Sequence, residues 1–527
     1  MTSLLFMFVF VTYSTTGVHG NNGALGTQFI FAIPYSPNGG IPSVFISTHV
    51  KDPVTVSVSV PEIGFRSLAN VARDRGTRID LPEEAALTLS HIITNKTVVI
   101  QAGEPVSIHG YYKVPGRPNL AHYSADGFLV LPTTALGKNY VAVGFSTFEN
   151  NYHGYSVFAV SAIEDSTTVS LVFKRQTKFT ISLKQYESYQ FVADITHTST
   201  DINDVTGMLI NADKTISVMS GHQGAVVPNQ PSPTDDYMME NIPPVSTLGQ
   251  HYILAPFLGR TSGFVYRVVA TSSGTTHVTM SGVNVSLLTG EFYEGNTMTS
   301  EDLITVLSDK PIIVCQYAMW HWADFLGDTF MVLLPSTQAF SYNVTFPVAA
   351  LTLSENPRYF ISITSECGNI NSFYLDGMPL INNERILQTS DGAFCVLRTS
   401  ITTGFHSVTH PSASFLVMVY GFAILYGYGY VDGYNIGPNM EASGDTSTAS
   451  NVMPSGCLPI MSIYSDEGTI APAKNLYEYG DVITVFCRKG LHHIGDDQLV
   501  CLNTGSWLGE IPRCSTDNEE GKHDNVK

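Results

Sequence analysis

Apolar and polar residues alternate along most of the chain, as in Val54-Thr55-Val56-Ser57-Val58-Ser59-Val60 and Phe179-Thr180-Ile181-Ser182-Leu183. Period two sends apolar side chains to one face of a sheet. Turn residues interrupt these runs at short intervals, and only Pro82 to Ile93 suggests even a weak helix. The pattern predicts an all-β chain. The longest uncharged run after the N-terminus extends from Phe415 to Val431, at the short end of what a membrane helix needs. Its three glycines and four tyrosines suit buried strands better, so no membrane span is expected.

A repeat organises the strands. Leu25-Gly26-Thr27-Gln28-Phe29-Ile30, Leu136-Gly137-Lys138-Asn139-Tyr140-Val141 and Leu248-Gly249-Gln250-His251-Tyr252-Ile253 share Leu-Gly-x-x-aromatic-β-branched and are almost equally spaced along the chain. Leads rich in proline precede the later copies, at Leu131-Pro132-Thr133-Thr134-Ala135, Pro243-Pro244-Val245-Ser246-Thr247 and, more faintly, Leu334-Pro335-Ser336-Thr337-Gln338-Ala339. A second element recurs as Ala212-Asp213-Lys214-Thr215-Ile216 and Ser308-Asp309-Lys310-Pro311-Ile312, with Asn95-Lys96-Thr97-Val98-Val99-Ile100 assigned to the first unit. Units of this length suit tandem β-sandwich-like repeats, expected at about 26–113, 128–225, 243–320 and 333–425, with a β-propeller of two blades per repeat as the alternative.

Composition narrows the class. The 527 residues carry 26 Lys+Arg against 45 Asp+Glu, a net charge of −19, and only 13% are charged while 44% are hydrophobic. An acidic, charge-poor chain is globular and a poor partner for nucleic acid. Residues 1–20 read as a signal peptide, an apolar core followed by small residues, which predicts a secreted, extracellular protein. Three sequons, at Asn95, Asn284 and Asn343, are then expected glycosylation acceptors. Residues 436–455 form a small, polar linker and 515–527 an acidic, disordered tail.

Cys457, Cys487, Cys501 and Cys514 are confined to one short C-terminal segment, with Trp507 between the last two. So small a domain needs cross-links to be stable, and spacing alone leaves three pairings open. The segment 456–514 resembles a sushi (complement control protein) module, through Gly490, Gly505-Ser506-Trp507 and Pro512-Arg513-Cys514. That resemblance implies Cys457 to Cys501 and Cys487 to Cys514. Residues 463–473 are expected to form an exposed loop. Elsewhere, Cys367 and Cys395 are expected to bridge two strands, and Cys315, in an apolar run, to be a buried free thiol.

The large region resembles the N-terminal domain of the IgG Fc binding protein family over 21–435. The likeness rests on Gly26-Thr27-Gln28-Phe29 with Phe31-Ala32-Ile33-Pro34, on Leu131 to Gly137 with Tyr140, and on Ser220-Gly221-His222 with Val227-Pro228. It continues through Glu240 with Ile242-Pro243-Pro244, Leu248-Gly249 through Gly259-Arg260, and Gly404-Phe405-His406 with Val419 to Phe422 and Tyr426-Gly427-Tyr428. Gly224 and Asp235 stand where the family usually has cysteines, so the loop from His222 to Glu240 should be less restrained. The resemblance implies a mucosal or matrix setting and an immunoglobulin-like or mucin ligand.

Catalytic, metal and cofactor motifs are not found. The weak candidates are His321 with Asp324 and Asp328 beside Trp320 and Trp322, His492-His493 with Asp496-Asp497, and for calcium Asp201, Asn203 and Asp204 or the pair Asp235-Asp236. Each is expected to be ordinary loop or turn sequence. His222 and His406 are expected to be packed and satisfied. The resulting expectation is a non-enzymatic recognition or scaffold protein binding an extracellular protein or glycan. The alternatives are an extracellular enzyme acting on glycans or esters, and a purely structural adhesive protein.

Overall fold

The computed structural model describes residues 24–435 except 74, 89–90, 115–123, 148–153, 174–175, 194–201, 230–234, 298–300, 321–327, 352–355, 381–385 and 425, and, of 436–527, essentially the strands. Residues 1–20, 436–455 and 516–527, which hold the expected signal peptide, linker and all but the first residue of the expected tail, lie outside the described residues. The chain divides into two compact units, 1–440 and 441–527. Strands and short 3-10 turns are its only regular elements among the described residues, and the expected helix reduces to one such turn, Glu83–Ala85.

The first unit contains four repeats, each with an inner and an outer sheet. The inner order recurs: Thr77–Asp80, Ile41–Ser47, Val98–Val114 and Ser124–Val130; then Ser188–Val192, Ser156–Ala162, Leu209–Ala225 and Asp236–Asn241. The third repeat gives Phe292–Thr297, Phe264–Ala270, Ile312–Ala318 and Met331–Leu334, and the fourth Phe394–Ser400, Arg358–Glu366, Leu416–Ala423 and Tyr426–Asp432. The third strand also feeds the outer sheet. In the first two repeats it is one continuous strand of 17 residues. In the third it is broken at Pro311, which has no amide to donate to a ladder, and in the fourth at His410-Pro411.

The last strand of each inner sheet lies at the centre. The first central strand, Ser124–Val130, packs against the second and fourth, and the third also packs against the second and fourth. The four repeats therefore close into a ring. Ser124–Val130 and Asp236–Asn241 complete the sheets of the first and second repeats, so structural repeats end later than the spacing of the motifs suggested.

Closure explains why several strands do not alternate. In Ser156–Ala162, Phe158 and Val160 enter the second repeat's core while Val157 and Ala159 enter the first's. Val265 and Val269 face the second repeat, and Phe264, Tyr266 and Val268 the third. Both faces are buried, so both must be apolar. The seam between first and fourth repeats has no chain continuity. Phe45 packs edge-on to Tyr111 and near Phe405, Tyr111 meets Tyr428, Tyr430 donates to the Pro347 carbonyl, and His109 Nε2 stands 2.9 Å from Asp432 Oδ2, both buried.

The second unit is a set of small antiparallel sheets, the largest pairing Gly468–Ala471, Val482–Cys487, Gln498–Cys501 and Trp507–Leu508. Gly468–Ala471 is thus a strand inside the segment expected to be an exposed loop.

Candidate functional site

The Leu-Gly-x-x-Tyr motif is a joint between repeats. Tyr140 accepts a hydrogen bond from the Gly137 amide at 2.8 Å and donates to the Ile216 carbonyl at 2.7 Å. Tyr252 accepts from Gly249 at 3.2 Å and donates to Ile312 at 2.6 Å. The motif's glycine is then met by the lead of the next repeat. A Cβ on Gly26 would fall 2.3 Å from Pro132 Cβ, one on Gly137 2.7 Å from Pro244 Cβ, and one on Gly249 2.4 Å from Ser336 Cβ. The near-equal spacing of the copies is therefore the length of chain needed to return to the previous repeat's glycine. In the first repeat Phe29 has no hydroxyl, and the residue opposite Gly26 is Val106. Val106, not the Asn95–Ile100 stretch, is the counterpart of Ile216, which lies opposite Gly137. Tyr252→Phe should cost about 1 to 2 kcal/mol, since it leaves a buried carbonyl unsatisfied; urea unfolding measures this, and a change under about 0.3 kcal/mol would contradict the joint.

Arg267 fastens the third repeat to the second. It sits in the middle of Phe264–Ala270, on the face that enters the second repeat's core, and is 1% exposed. Nη1 donates to the Gly144 carbonyl at 2.9 Å, Asp204 Oδ2 at 2.8 Å and Thr206 Oγ1 at 2.8 Å. Nε and Nη2 reach Glu294 Oε2 at 2.9 and 2.8 Å. The guanidinium also lies 4.3 Å from the Phe145 ring centroid and 4.6 Å from that of Phe292. Burial opposes its charge, but Asp204, Tyr317 and Glu294 outweigh burial and keep it ionised. Glu294 is nearly half exposed, so Asp204 is the stronger partner. Sequence inspection missed Arg267; its signal is a lone charge inside an apolar strand.

Buried carboxylates join the central strands. Asp126, fully buried in the first, accepts the Met239 amide of the second at 2.7 Å and its neighbour Gly127 at 2.9 Å. Glu240, in the second, accepts the Leu333 amide of the third at 2.9 Å, and Asn241 accepts the Leu131 amide at 2.8 Å. The strands pack without a shared ladder, so these side chains satisfy amides that would otherwise be orphaned. Burial pushes the carboxyls of Asp126 and Glu240 well above their usual range.

The expected site residues fall as follows. Cys367 and Cys395 form a disulfide. Cys315 is a buried free thiol, its ionisation suppressed by burial. Cys487 is disulfide-bonded; the side chains of Cys457, Cys501 and Cys514 lie outside the described part. Asn95 and Asn284 are exposed, as is Asn343 at the start of its strand. His222 is buried, holds Thr147 Oγ1 at 3.1 Å and accepts the Gly224 amide at 3.0 Å, and burial lowers its pKa to about 3, so it is neutral. His406 pairs with Asp376 at 2.8 Å.

Asp204 is engaged by Arg267, which corrects its candidacy as a free calcium ligand. Asn203 is exposed, and Asp201 lies outside the described residues. Asp235 and Asp236 are not turn residues on the surface: both are buried, and Asp236 opens the second central strand. Ala225 pairs with Asp236, so Gly224 and Asp235 flank one cross-strand pair where a cysteine bridge was expected from the family pattern. The start and end of the segment from His222 to Glu240 are held in a ladder. Trp320 and Asp328 are buried, while His321, Trp322, Asp324, Asp496 and Asp497 lie outside the described residues. Among the described residues no three His, Cys, Asp or Glu side chains form a metal-binding group, and no helix is long and apolar enough to cross a membrane.

The family described as IgGFc binding protein matches residues 126–421. The chain belongs to this family. The match starts at Asp126 in the first central strand, so the ring extends the matched region by most of one repeat towards the N-terminus. A sushi repeat (SCR repeat) follows at 459–514, the order seen in the resemblance. Both are domain types of extracellular binding proteins. Comparison with curated proteins finds no match. One solved structure, a Ca2+-stabilized adhesin that helps an Antarctic bacterium reach out and bind ice, has 11% identity over 78% of this chain and 98% of that one, with a TM-score of 0.11; at that score nothing follows for this fold.

Proposed function

We propose that this chain is a secreted, non-enzymatic recognition or scaffold protein that holds an extracellular protein or glycan in a mucosal or matrix setting. Its family name and its sushi repeat support binding as the general activity. The observation that carries the reading is how the polar groups are used. Arg267, Asp126, Glu240 and Asn241 are each buried and spent on joining one repeat to the next. Such joints build a rigid frame, and loops on a rigid β frame are where recognition resides. The exposed sequons Asn95, Asn284 and Asn343 suit glycan-bearing outer surfaces.

Immunoglobulin Fc and mucin are the first ligands to test. Immobilised Fc or mucin should retain the full-length chain and lose it after thermal unfolding. Turnover of glycoside or ester substrates by the folded chain, abolished by a point substitution, would overturn the reading in favour of an enzyme.

A further inference from the structure

Three junctions of the ring follow the chain from one repeat to the next, whereas the seam between the first and fourth repeats has no continuous chain across it. Within that seam stands a buried imidazole. His109 pairs in the ladder with Phe45 on one side and Leu129 on the other, and its ring lies 4.9 Å from that of Tyr430 in the fourth repeat. Nε2 faces Asp432 Oδ2 at 2.9 Å, and the two side chains are only 1% and 3% exposed. The junction between the second and third repeats is different in kind, because Arg267 keeps its charge.

Asp432 Oδ1 accepts the Gly433 amide at 2.6 Å, but Oδ2 and both ring nitrogens of His109 lack an aligned hydrogen bond. The contact therefore draws its attraction from charge, and charge requires a protonated His109. With the ring neutral, a buried carboxylate oxygen is left without donor or counter-ion, which is costly. Neighbouring groups do not take its place. His49, 3.4 Å from Thr345 Oγ1 across the same seam, has its pKa lowered by burial against the attraction of Asp432, and Arg73 lowers it further. Arg78 lies over Phe45 at 5.5 Å and is bound to Asp80 at 2.6 Å, and Lys113 is grouped with these two. Tyr430 donates to the Pro347 carbonyl, and burial, then Tyr428 and Asp432, push its hydroxyl well above the usual range, so it stays neutral. Phe45, Leu129 and the Tyr111 and Tyr428 rings, which meet at 5.4 Å, bring no charge of either sign to the pair.

We propose that the seam between the first and fourth repeats is a pH-operated latch, in which protonated His109 against Asp432 holds the ring closed and loss of that proton loosens this junction. The sign follows from the opened seam. In water an imidazole titrates near about 6.5 and an aspartate near about 3.9, so below about pH 6 the opened groups already carry both charges and closing takes up no proton. Above about pH 7 the opened imidazole is neutral, and closing in the paired form must take a proton from solvent. Closure is favoured at low pH and weakens as pH rises, by at most about tenfold in the opening equilibrium per pH unit for one proton. The raised carboxyls of Asp126 and Glu240 add a dependence of the same sign, so the latch is read locally and through variants of the pair.

The test is amide hydrogen exchange of the full-length protein at about pH 6 and about pH 8, corrected for the intrinsic dependence of exchange on pH. The seam strand Tyr426–Asp432 should lose about tenfold more protection at the higher pH than the reference strand Phe264–Ala270, which Arg267 fastens. Asp432→Asn removes the charge that needs a counter-ion, and His109→Gln removes the titrating group, so each should abolish this difference. If His109→Gln does not fold, Asp432→Asn and the wild-type comparison decide the matter. Equal changes in the two strands of the wild-type chain would overturn the proposal, as would greater protection of the seam at the higher pH. Persistence of the wild-type difference in Asp432→Asn would also overturn it, placing the proton elsewhere.

Discussion

Replacing Arg267 with alanine should destabilise the larger unit by about 3 to 5 kcal/mol, the range for removing one partner from a buried ion pair. The substitution strips the Gly144 carbonyl, Thr206 and Asp204 of their shared donor and leaves a cavity between the Phe145 and Phe292 rings. Because the side chain spans the second and third repeats, the loss should weaken the ring and not one repeat alone. Arg267→Lys keeps the charge but lacks the planar fork that reaches Asp204 and Glu294 together, so it should recover only part of the loss. Equilibrium urea unfolding of the three proteins checks this. A cost for Arg267→Ala below about 1 kcal/mol would show that the arginine does not join the repeats.

Gly207→Ala should be nearly as damaging, at about 3 kcal/mol or more, combining overpacking with backbone strain. Gly207 has φ +87°, and its ideal Cβ would fall 1.8 Å from the Gly290 carbonyl oxygen of the third repeat, itself at φ +79°. Backbone opposes backbone there, so no side chain can turn aside to make room. Gly282 provides the control: its φ is +94° but nothing lies within 4 Å of its Cβ position. Gly282→Ala should therefore cost only the strain of a left-handed alanine, about 1 kcal/mol. The difference between the two melting curves isolates the contact between repeats, and equal costs would show that contact to be slack.

The sequence made the strands, the repeat count and the small cysteine-rich unit legible, because each leaves a local trace. Period two survives wherever one sheet face meets solvent, as in Val54–Val60 with its alternating burial. The copies are visible because each glycine seats the lead of the next repeat, and at Tyr140 and Tyr252 the same hydroxyl-to-carbonyl joint is built. Ring closure entered only through the alternative of a propeller. Its contacts join residues such as Ser47 and Thr345, which lie 298 positions apart, and neither carries a signal of its own. The ends of the repeats were misplaced for a related reason: each lead looks like the opening of a unit, whereas the strand before it closes the previous sheet and its proline seats on the previous glycine.

The candidate site was legible only in part. Asp235-Asp236 and Asp328 were visible as acidic residues near aromatic ones, and short polar neighbours made them resemble turns. Their burial follows from the closing of four strands around an axis, which no window of sequence contains. Glu240 stood out within a family block, but its role as acceptor for the Leu333 amide depends on a strand 93 residues away.

The most direct test of recognition by the ring compares the full-length chain with a chain ending at residue 440 on sensors carrying immunoglobulin Fc or mucin. Binding of both chains to one of these ligands with the same affinity within threefold is the predicted result. Binding that vanishes when residues 441–527 are removed, while the remaining chain keeps its melting temperature, would assign recognition to the sushi unit and contradict it.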